Sequence, residues 1–465
     1  MQLKKGTQVQ VEFTSLNSFA QGYATLDIEG QTYNLVCPDA YPGDLALVNI
    51  TKIKKNFLES ELVQILKSSN LRVETRNNYF GISNATPLEA LIYSEQLEIK
   101  EKEVQRILSN LDLLANCQLN PISGMQDPWY YRNKVEYSFG YTAEFKPALG
   151  FHVKHRRFDI VDATSCHLFM PQTSTWLEYA KQILLQDFSP YQYSCNKGDL
   201  RNLIFKKTLD SSQLMLVLEI SQNVEAKLLV SALDELAQKI QQDFKQPLSV
   251  YLVQTTVQKG RCTTQDLYHL SGPLALQETL TIQDQEFEFE IFPNSFFQPN
   301  PHQAQKILSL VQAHAQKLGA KVIYDLFCGT GTLGIVAAAS GAKLFGIDIV
   351  PASIELAIKN AKQNGLKDYE FVADDIYKNL QQYSWPEPDL ILLDPPRKGL
   401  GEKTIDLIAD TAVANIVYVS CNLKTFAQDA KYLQTKGYTL KELTPVDQFP
   451  HTKHLEIVSC FIKNN

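Results

Sequence analysis

The sequence predicts an α/β protein: a doubly wound, Rossmann-like sheet in the last third, preceded by a small OB-like β-barrel and an α+β middle. Three observations carry this. The aliphatic runs Asp389-Leu390-Ile391-Leu392-Leu393 and Asn415 through Val419 read as strands buried on both faces of a parallel sheet. Each run ends in a polar turn, Asp394-Pro395-Pro396-Arg397-Lys398-Gly399 after the first and Ser420-Cys421-Asn422 after the second. A third strand, Val322 to Phe327, leads into the tight turn Cys328-Gly329-Thr330-Gly331-Thr332 and a helix from Leu333. Open α/β sheets keep their sites at such strand C-termini, so Cys421 and Asp394 are expected side by side.

In chain order, residues 1–66 alternate as strands do (Gln8-Val9-Gln10-Val11-Glu12-Phe13), with a turn at Asp39-Ala40-Tyr41-Pro42-Gly43-Asp44. A small β-barrel follows from that pattern, and such barrels recur as nucleic-acid platforms. Residues 67–111 form a linker and a helix, with Thr86-Pro87-Leu88-Glu89 read as its capped start: hydroxyl, proline in the first turn, glutamate three after the cap. Residues 112–290 mix strands with amphipathic helices such as 225–242, giving the α+β central domain. Residues 291–465 alternate strand and helix, including a helix over Ala352 to Gly365, and end in a strand with Glu456 near its start.

A chain of 465 residues with 44% apolar residues can bury two or three cores. The eight cysteines are scattered without CxxC spacing, which gives neither a disulfide framework nor a zinc site. His451 and His454 lack a third ligand, so no metal is expected. No apolar run is long enough to span a bilayer and no signal peptide is evident, so a cytoplasmic protein acting as a monomer without membrane contact is expected. A net charge of −7 argues against polyanion binding by the whole surface. Nucleic acid would need a local patch, and Tyr130 to Arg157 offers one. Most of its aromatic rings suit the core face of a strand pair, which leaves Arg132, Asn133 and Lys134 as the RNA-binding candidates.

Asp348 ends a further strand, Leu344-Phe345-Gly346-Ile347-Asp348, where a carboxylate can accept from both ribose hydroxyls of a nucleoside cofactor. Gly329-x-Gly331-x-x-Gly334 also fits a dinucleotide fingerprint, which alone is weak. The acid before the turn, Asp325, and the acids after Phe371-Val372-Ala373 resemble class I S-adenosylmethionine-dependent methyltransferases more closely. Ser295-Phe296-Phe297-Gln298-Pro299-Asn300, Asp325-Leu326-Phe327-Cys328-Gly329, Asp394-Pro395-Pro396-Arg397, Ser420-Cys421-Asn422 and Phe449-Pro450-His451-Thr452 with Glu456 resemble, together and in order, the RNA uracil-5 methyltransferase family. Residues 1–66 resemble a TRAM domain, which points to the 23S ribosomal RNA branch rather than the transfer RNA branch.

The resemblance implies methyl transfer from S-adenosyl-L-methionine to C5 of a uridine in 23S rRNA. Cys421 would be the nucleophile that adds to C6, and Glu456 the base that removes the C5 proton. Gln298, Phe327, Thr332, Asp348, Asp375 and Asp394 would bind the cofactor. A transfer RNA enzyme and a noncatalytic RNA-binding assembly factor are the alternatives, and a binder would have no need of Cys421, Glu456, Asp394 and the Gly turn together. Two departures stand out. Leu423 replaces the family's usual proline after Asn422, which bears on loop rigidity. Asn77, Ser83 and Thr86 stand where the ribosomal branch often has three cysteines of an iron–sulfur cluster, leaving only Cys166, so an iron-free protein is expected.

Overall fold

The structure is a computed structural model that describes residues 3–17, 19–156, 158–257, 263–376 and 380–464. Arg157 of the basic segment and Cys262 lie outside the described residues.

Strands β1 (Gln8–Glu12), β2 (Ser15–Leu16), β3 (Gly22–Ile28), β4 (Gln31–Cys37), β5 (Leu45–Lys54) and β6 (Phe57–Lys67) form one sheet in the order β1-β5-β6-β4-β3-β2. Their alternating inward residues, among them Val11, Leu35, Val48, Ile50 and Leu58, pack a small core of their own. A salt bridge anchors this sheet to the next segment: buried Asp44 accepts from the Ser69 amide and from the Arg72 guanidinium.

The helix expected at Pro87 begins later, at Tyr93, and runs to Ser109 with Ile92 at its N-cap and no side-chain cap. Residues 86–91 are drawn elsewhere. Leu88 N donates to the His451 carbonyl, and Tyr41 Oη donates to the Pro87 carbonyl. Glu89, read as the capping-box glutamate, is buried and accepts from Arg76 N, Asn77 N and Asn77 Nδ2. Thr86 Oγ1 is buried without a hydrogen-bond partner among the described residues. Three tertiary demands on this short segment thus outweigh a local helix signal of about 1 kcal/mol.

After β7 (Gln118–Leu119), the middle of the chain forms a seven-stranded sheet from β8 (Lys134–Tyr141), β9 (Pro147–His152), β10 (Ile160–Asp162), β11 (Leu200–Lys207), β12 (Leu214–Ser221), β13 (Leu248–Thr256) and β14 (Thr264–Ser271). Helices Thr173–Asp187 and Ala226–Phe244 cover one face, burying Trp176, Leu177, Leu233 and Ile240 against Phe205 and Leu216. The opposite face of β12 and β13 presents Met215, Val217, Tyr251 and Val253 to Leu276 and Ile291 of the next hairpin.

That hairpin, β15 (Leu276–Ile282) and β16 (Gln285–Ile291), turns through Gln283 and Asp284, both at positive φ. Leu280, Ile282, Phe287 and Phe289 pack with Ile307, Leu308 and Val311 of helix Pro301–Leu318. The last core therefore starts with this hairpin, earlier than the boundary at 291 drawn from the sequence, because alternation marks a strand without saying which core takes its inner face. β7 likewise leaves the central domain and pairs with the last sheet.

The last sheet contains β17 (Val322–Leu326), β18 (Lys343–Asp348), β19 (Tyr369–Ala373), β20 (Leu390–Leu393), β21 (Asn415–Ser420), β22 (Tyr438–Val446) and β23 (Glu456–Lys463), in the order β19-β18-β17-β20-β21-β23-β22-β7. β17 to β21 run parallel, and β23 is antiparallel to β21. The strand order reverses between β17 and β20, and the crevice there is where such sheets bind ligands.

Candidate active site

Parallel pairing of β20 with β21, Leu393 opposite Tyr418, delivers Asp394 and Cys421 to adjacent strand ends. Antiparallel pairing of β21 with β23, Ser420 opposite Ile457, brings Glu456 to the same end. Residues far apart in sequence so meet at one edge of the crevice. Asn422 fixes the loop: its Nδ2 donates to the Arg397 carbonyl at 2.9 Å, and its Oδ1 caps helix Leu423–Thr435 by accepting from Lys424 N. With this clamp in place, the rigidity put in doubt by Leu423 has a source other than proline.

Electrostatics couple the three groups. Burial pushes the half-buried Cys421 thiol up to about 11, Glu456 and Asp394 push the same way, and the Arg397 guanidinium opposes them. Burial also holds the Glu456 carboxyl well above the usual range, with Asp394 adding repulsion and Arg397 opposing. Glu456 Oε2 is buried and has no hydrogen-bond partner among the described residues. Asp394 is half-buried, and burial raises it to about 7. Cys328, a second thiol of this sheet end, is buried and held far above the usual thiol range by that burial and by Asp325 and Asp348.

The turn after β17 forms the opposite wall. Phe327 has φ 69, a conformation that a bulky side chain adopts only under constraint, and its amide donates to the Ile347 carbonyl. Gly331 at φ 81 is the N-cap of helix Thr332–Ala337, and Asp325 Oδ2 accepts from Gly334 N at 2.9 Å. Burial lifts Asp325 to about 7, Asp394 and Asp348 adding to it against the Gly334 amide, and its Oδ1 has no partner among the described residues. Asp348 accepts from Gly329 N and Val350 N. A Cβ at Gly329 would meet nothing within 4 Å, so the backbone there faces open space. Such a turn, with a carboxylate across from it, fits a nucleoside cofactor. Thr332 is half-buried at the helix start, its hydroxyl 3.3 Å from that of Thr330. Asp375 follows β19, its amide donating to Asp374 Oδ1.

Gln298 is held from two sides. Its carbonyl accepts from Asn133 Nδ2 and its Oε1 from Gln448 Nε2 at 3.2 Å. Asn133, read from the sequence as an RNA contact, is buried, and its side-chain amide joins the central domain to the Gln298 loop. Lys134 is half-exposed in an ion pair with Glu136, and the Arg132 guanidinium lies 5.9 Å from the Tyr131 ring centroid, its Nε without a hydrogen-bond partner among the described residues. Gln448 was not foreseen from the sequence. It is buried, its Oε1 is unpartnered among the described residues, and its carbonyl accepts from Asn300 Nδ2. Its one signal was adjacency to Phe449-Pro450-His451-Thr452.

A cleft of about 880 Å³ runs from Cys421, Arg397 and His454 between helix Tyr93–Ser109 and the N-terminal sheet. No described helix is long and apolar enough to cross a membrane.

The sequence profile of the tRNA (uracil-5-)-methyltransferases matches residues 203–464, more than half of the chain. An uncharacterized RNA methyltransferase of Protochlamydia amoebophila is 32% identical, over 91% of this chain and 98% of its own. One of Clostridium acetobutylicum is 29% identical, over 98% and 97%. Among solved structures, the tRNA (uracil-54, C5)-methyltransferase of Pyrococcus abyssi in complex with S-adenosyl-L-homocysteine is similar over 98% of this chain and 100% of its own, with a TM-score of 0.73 and 25% identity. A methyltransferase sheet, its crevice and matches along nearly the full length agree: the chain belongs to the RNA uracil-5 methyltransferase family and is an S-adenosylmethionine-dependent RNA (uracil-C5)-methyltransferase.

Proposed function

We propose that the target is a uridine of 23S ribosomal RNA, with Cys421 as nucleophile and Glu456 as base. The observation that carries the catalytic reading is the meeting of Cys421, Asp394 and Glu456 at adjacent strand ends, where a buried Glu456 oxygen has no partner among the described residues.

Uracil C5 is too weak a nucleophile to take a methyl group directly. Addition of the Cys421 sulfur to C6 turns the ring into an enolate that is nucleophilic at C5. S-adenosylmethionine supplies the electrophilic methyl group. Glu456 then removes the C5 proton, and the electrons of that C–H bond restore the ring double bond as the Cys421 sulfur departs. Burial keeps Cys421 protonated in the free protein, so thiolate formation limits the attack and Arg397 favours it. Asp394 faces the reacting base, while Gln298, Phe327, Thr332, Asp348 and Asp375 hold the cofactor, with Asn133 and Gln448 orienting Gln298. Arg132 and Lys134 contact RNA.

The resemblance of residues 1–66 to a TRAM module supports ribosomal RNA, although the likeness to the Pyrococcus abyssi enzyme spans that module too. A transfer RNA is the second reading, favoured by the full-length likeness to the Pyrococcus abyssi enzyme. Incubation with labelled cofactor and either unmodified 23S rRNA or unmodified tRNA, followed by digestion to nucleosides, separates the two. Label in 5-methyluridine from 23S rRNA alone is expected. Label from tRNA alone would establish the second reading.

A further inference from the structure

The cleft carries a cluster that the chemistry at Cys421 does not use, with Phe19 on the N-terminal side and two lysines on the side of the strand ends. Phe19 is 57% exposed, in a loop where Asn17 Oδ1 accepts from the amides of Phe19 and Gln21. Lys424 Nζ lies 4.9 Å and Lys453 Nζ 4.5 Å from the centroid of its ring. Lys424 is three residues past Cys421 at the start of helix Leu423–Thr435, and Lys453 is three residues before Glu456. All three side chains line the same cleft as Cys421.

Two ammonium groups gathered on one ring repel each other, and neither pairs with a carboxylate among the described residues. Lys453 shows the consequence: partial burial and the charge of Lys424 lower its pKa. Three other cations of the cleft have carboxylate partners, Lys102 in Glu98, Arg106 in Glu103 and Lys100 in Asp447. A large exposed aromatic face beside two uncompensated cations suits a ligand with a flat ring and a negative charge, and single-stranded RNA supplies both in each nucleotide.

We propose that Phe19, Lys424 and Lys453 form a nucleotide subsite, in which a nucleotide flanking the target uridine stacks its base on Phe19 and sets its phosphate between the two lysines. The proposal rests on the placement of the target uridine at Cys421. It gives the N-terminal sheet a direct part in holding the substrate: a uridine bound at Cys421 would have its neighbour gripped from the opposite domain. Stacking discriminates little between bases, so the subsite adds affinity and register more than sequence choice.

The test is binding of a fluorescein-labelled single-stranded RNA oligonucleotide centred on a uridine, measured by anisotropy on the full-length protein over a range of salt. Phe19→Ala and Phe19→Leu should each raise Kd by about tenfold, whereas Phe19→Trp should bind like wild type. Phe19 is mostly exposed, so these changes leave the core intact, and the leucine variant keeps an apolar side chain without a stacking face. The double variant Lys424→Gln, Lys453→Gln should reduce the slope of log Kd against log salt by about 0.7, the value for one phosphate contact on a single strand. Unchanged Kd in both Phe19→Ala and Phe19→Leu, wild-type binding by Phe19→Leu alone, or an unchanged salt slope in the lysine variant would each overturn the subsite. Failure of the Cys421 placement is read separately, as 5-methyluridine formation that survives Cys421→Ala.

Discussion

In the proposed mechanism, a buried carboxylic acid and a half-buried thiol set opposing demands at Glu456 and Cys421. The thiol must lose its proton to attack, and the carboxyl must have lost its own to act as base, yet burial favours the neutral form of both. Arg397 is a nearby charge that opposes burial at both residues. In single-turnover assays the rate should climb with pH above neutrality, as thiolate forms below a thiol pKa of about 11. Arg397→Gln removes the charge that lowers this pKa, so its profile should shift to higher pH. A profile that stays in place would remove Arg397 from thiol activation. Glu456→Gln should still permit attack and methyl transfer but stall before elimination, leaving protein covalently bound to RNA on a denaturing gel. At this scale the sequence was informative where strands are buried on both faces. Cys421 and Asp394 could be found because continuous aliphatic runs point at them, whereas Glu456, an ordinary-looking strand carboxylate, was found through the family resemblance.

Helix Tyr93–Ser109 shows how local signals lose to tertiary ones. A helix was expected in residues 67–111, but its inner face buries Gln96 and Lys100 as well as Val104 and Leu108. Both polar side chains hold the segment that leads into β23: Gln96 Nε2 donates to the Leu88 and Leu91 carbonyls, and its Oε1 accepts from His451 N. Lys100 forms a buried ion pair with Asp447, which also accepts from Tyr93 Oη. No periodicity argument could find the bonds to His451 and Asp447, because these partners lie hundreds of residues away. Lys100→Ala would leave Asp447 buried without its cation and should cost about 3–5 kcal/mol in chemical denaturation. A loss below about 1 kcal/mol would mean that the pair is not buried as described. The Thr86 reading failed for the related reason that residues 86–91 are committed to His451, Tyr41 and Arg76.

Across the molecule, the described residues form four sheets, the two-stranded hairpin of β15 and β16 among them, and neighbouring sheets share cores rather than standing as separate units. Their order and the positions of the strand-end motifs were legible from hydrophobic pattern. Their junctions were not: the hairpin Leu276–Ile291 completes the last core, and Phe19 reaches a cleft whose other wall is built by residues near 424 and 453. Of the four positions where the resemblance implies cluster cysteines, three make polar contacts here, and Thr86 Oγ1 has no hydrogen-bond partner among the described residues. Asn77 bonds Glu89 and His167, Ser83 Oγ accepts from Ala85 N, and Tyr79 Oη donates to Cys166 Sγ at 3.7 Å. Anaerobically purified protein should therefore be colourless and free of iron. Stoichiometric iron and sulfide with broad visible absorption would refute this.

Covalent catalysis by Cys421 is most directly tested with RNA carrying 5-fluorouridine at the target position. Fluorine there replaces the proton that Glu456 removes, so elimination cannot follow and the adduct persists. After incubation with S-adenosylmethionine and digestion, mass spectrometry should find the methylated fluorouridine nucleotide on the peptide containing Cys421, and Cys421→Ala should give no adduct. An adduct on Cys328, or 5-methyluridine formed on ordinary RNA by Cys421→Ala, would contradict the account.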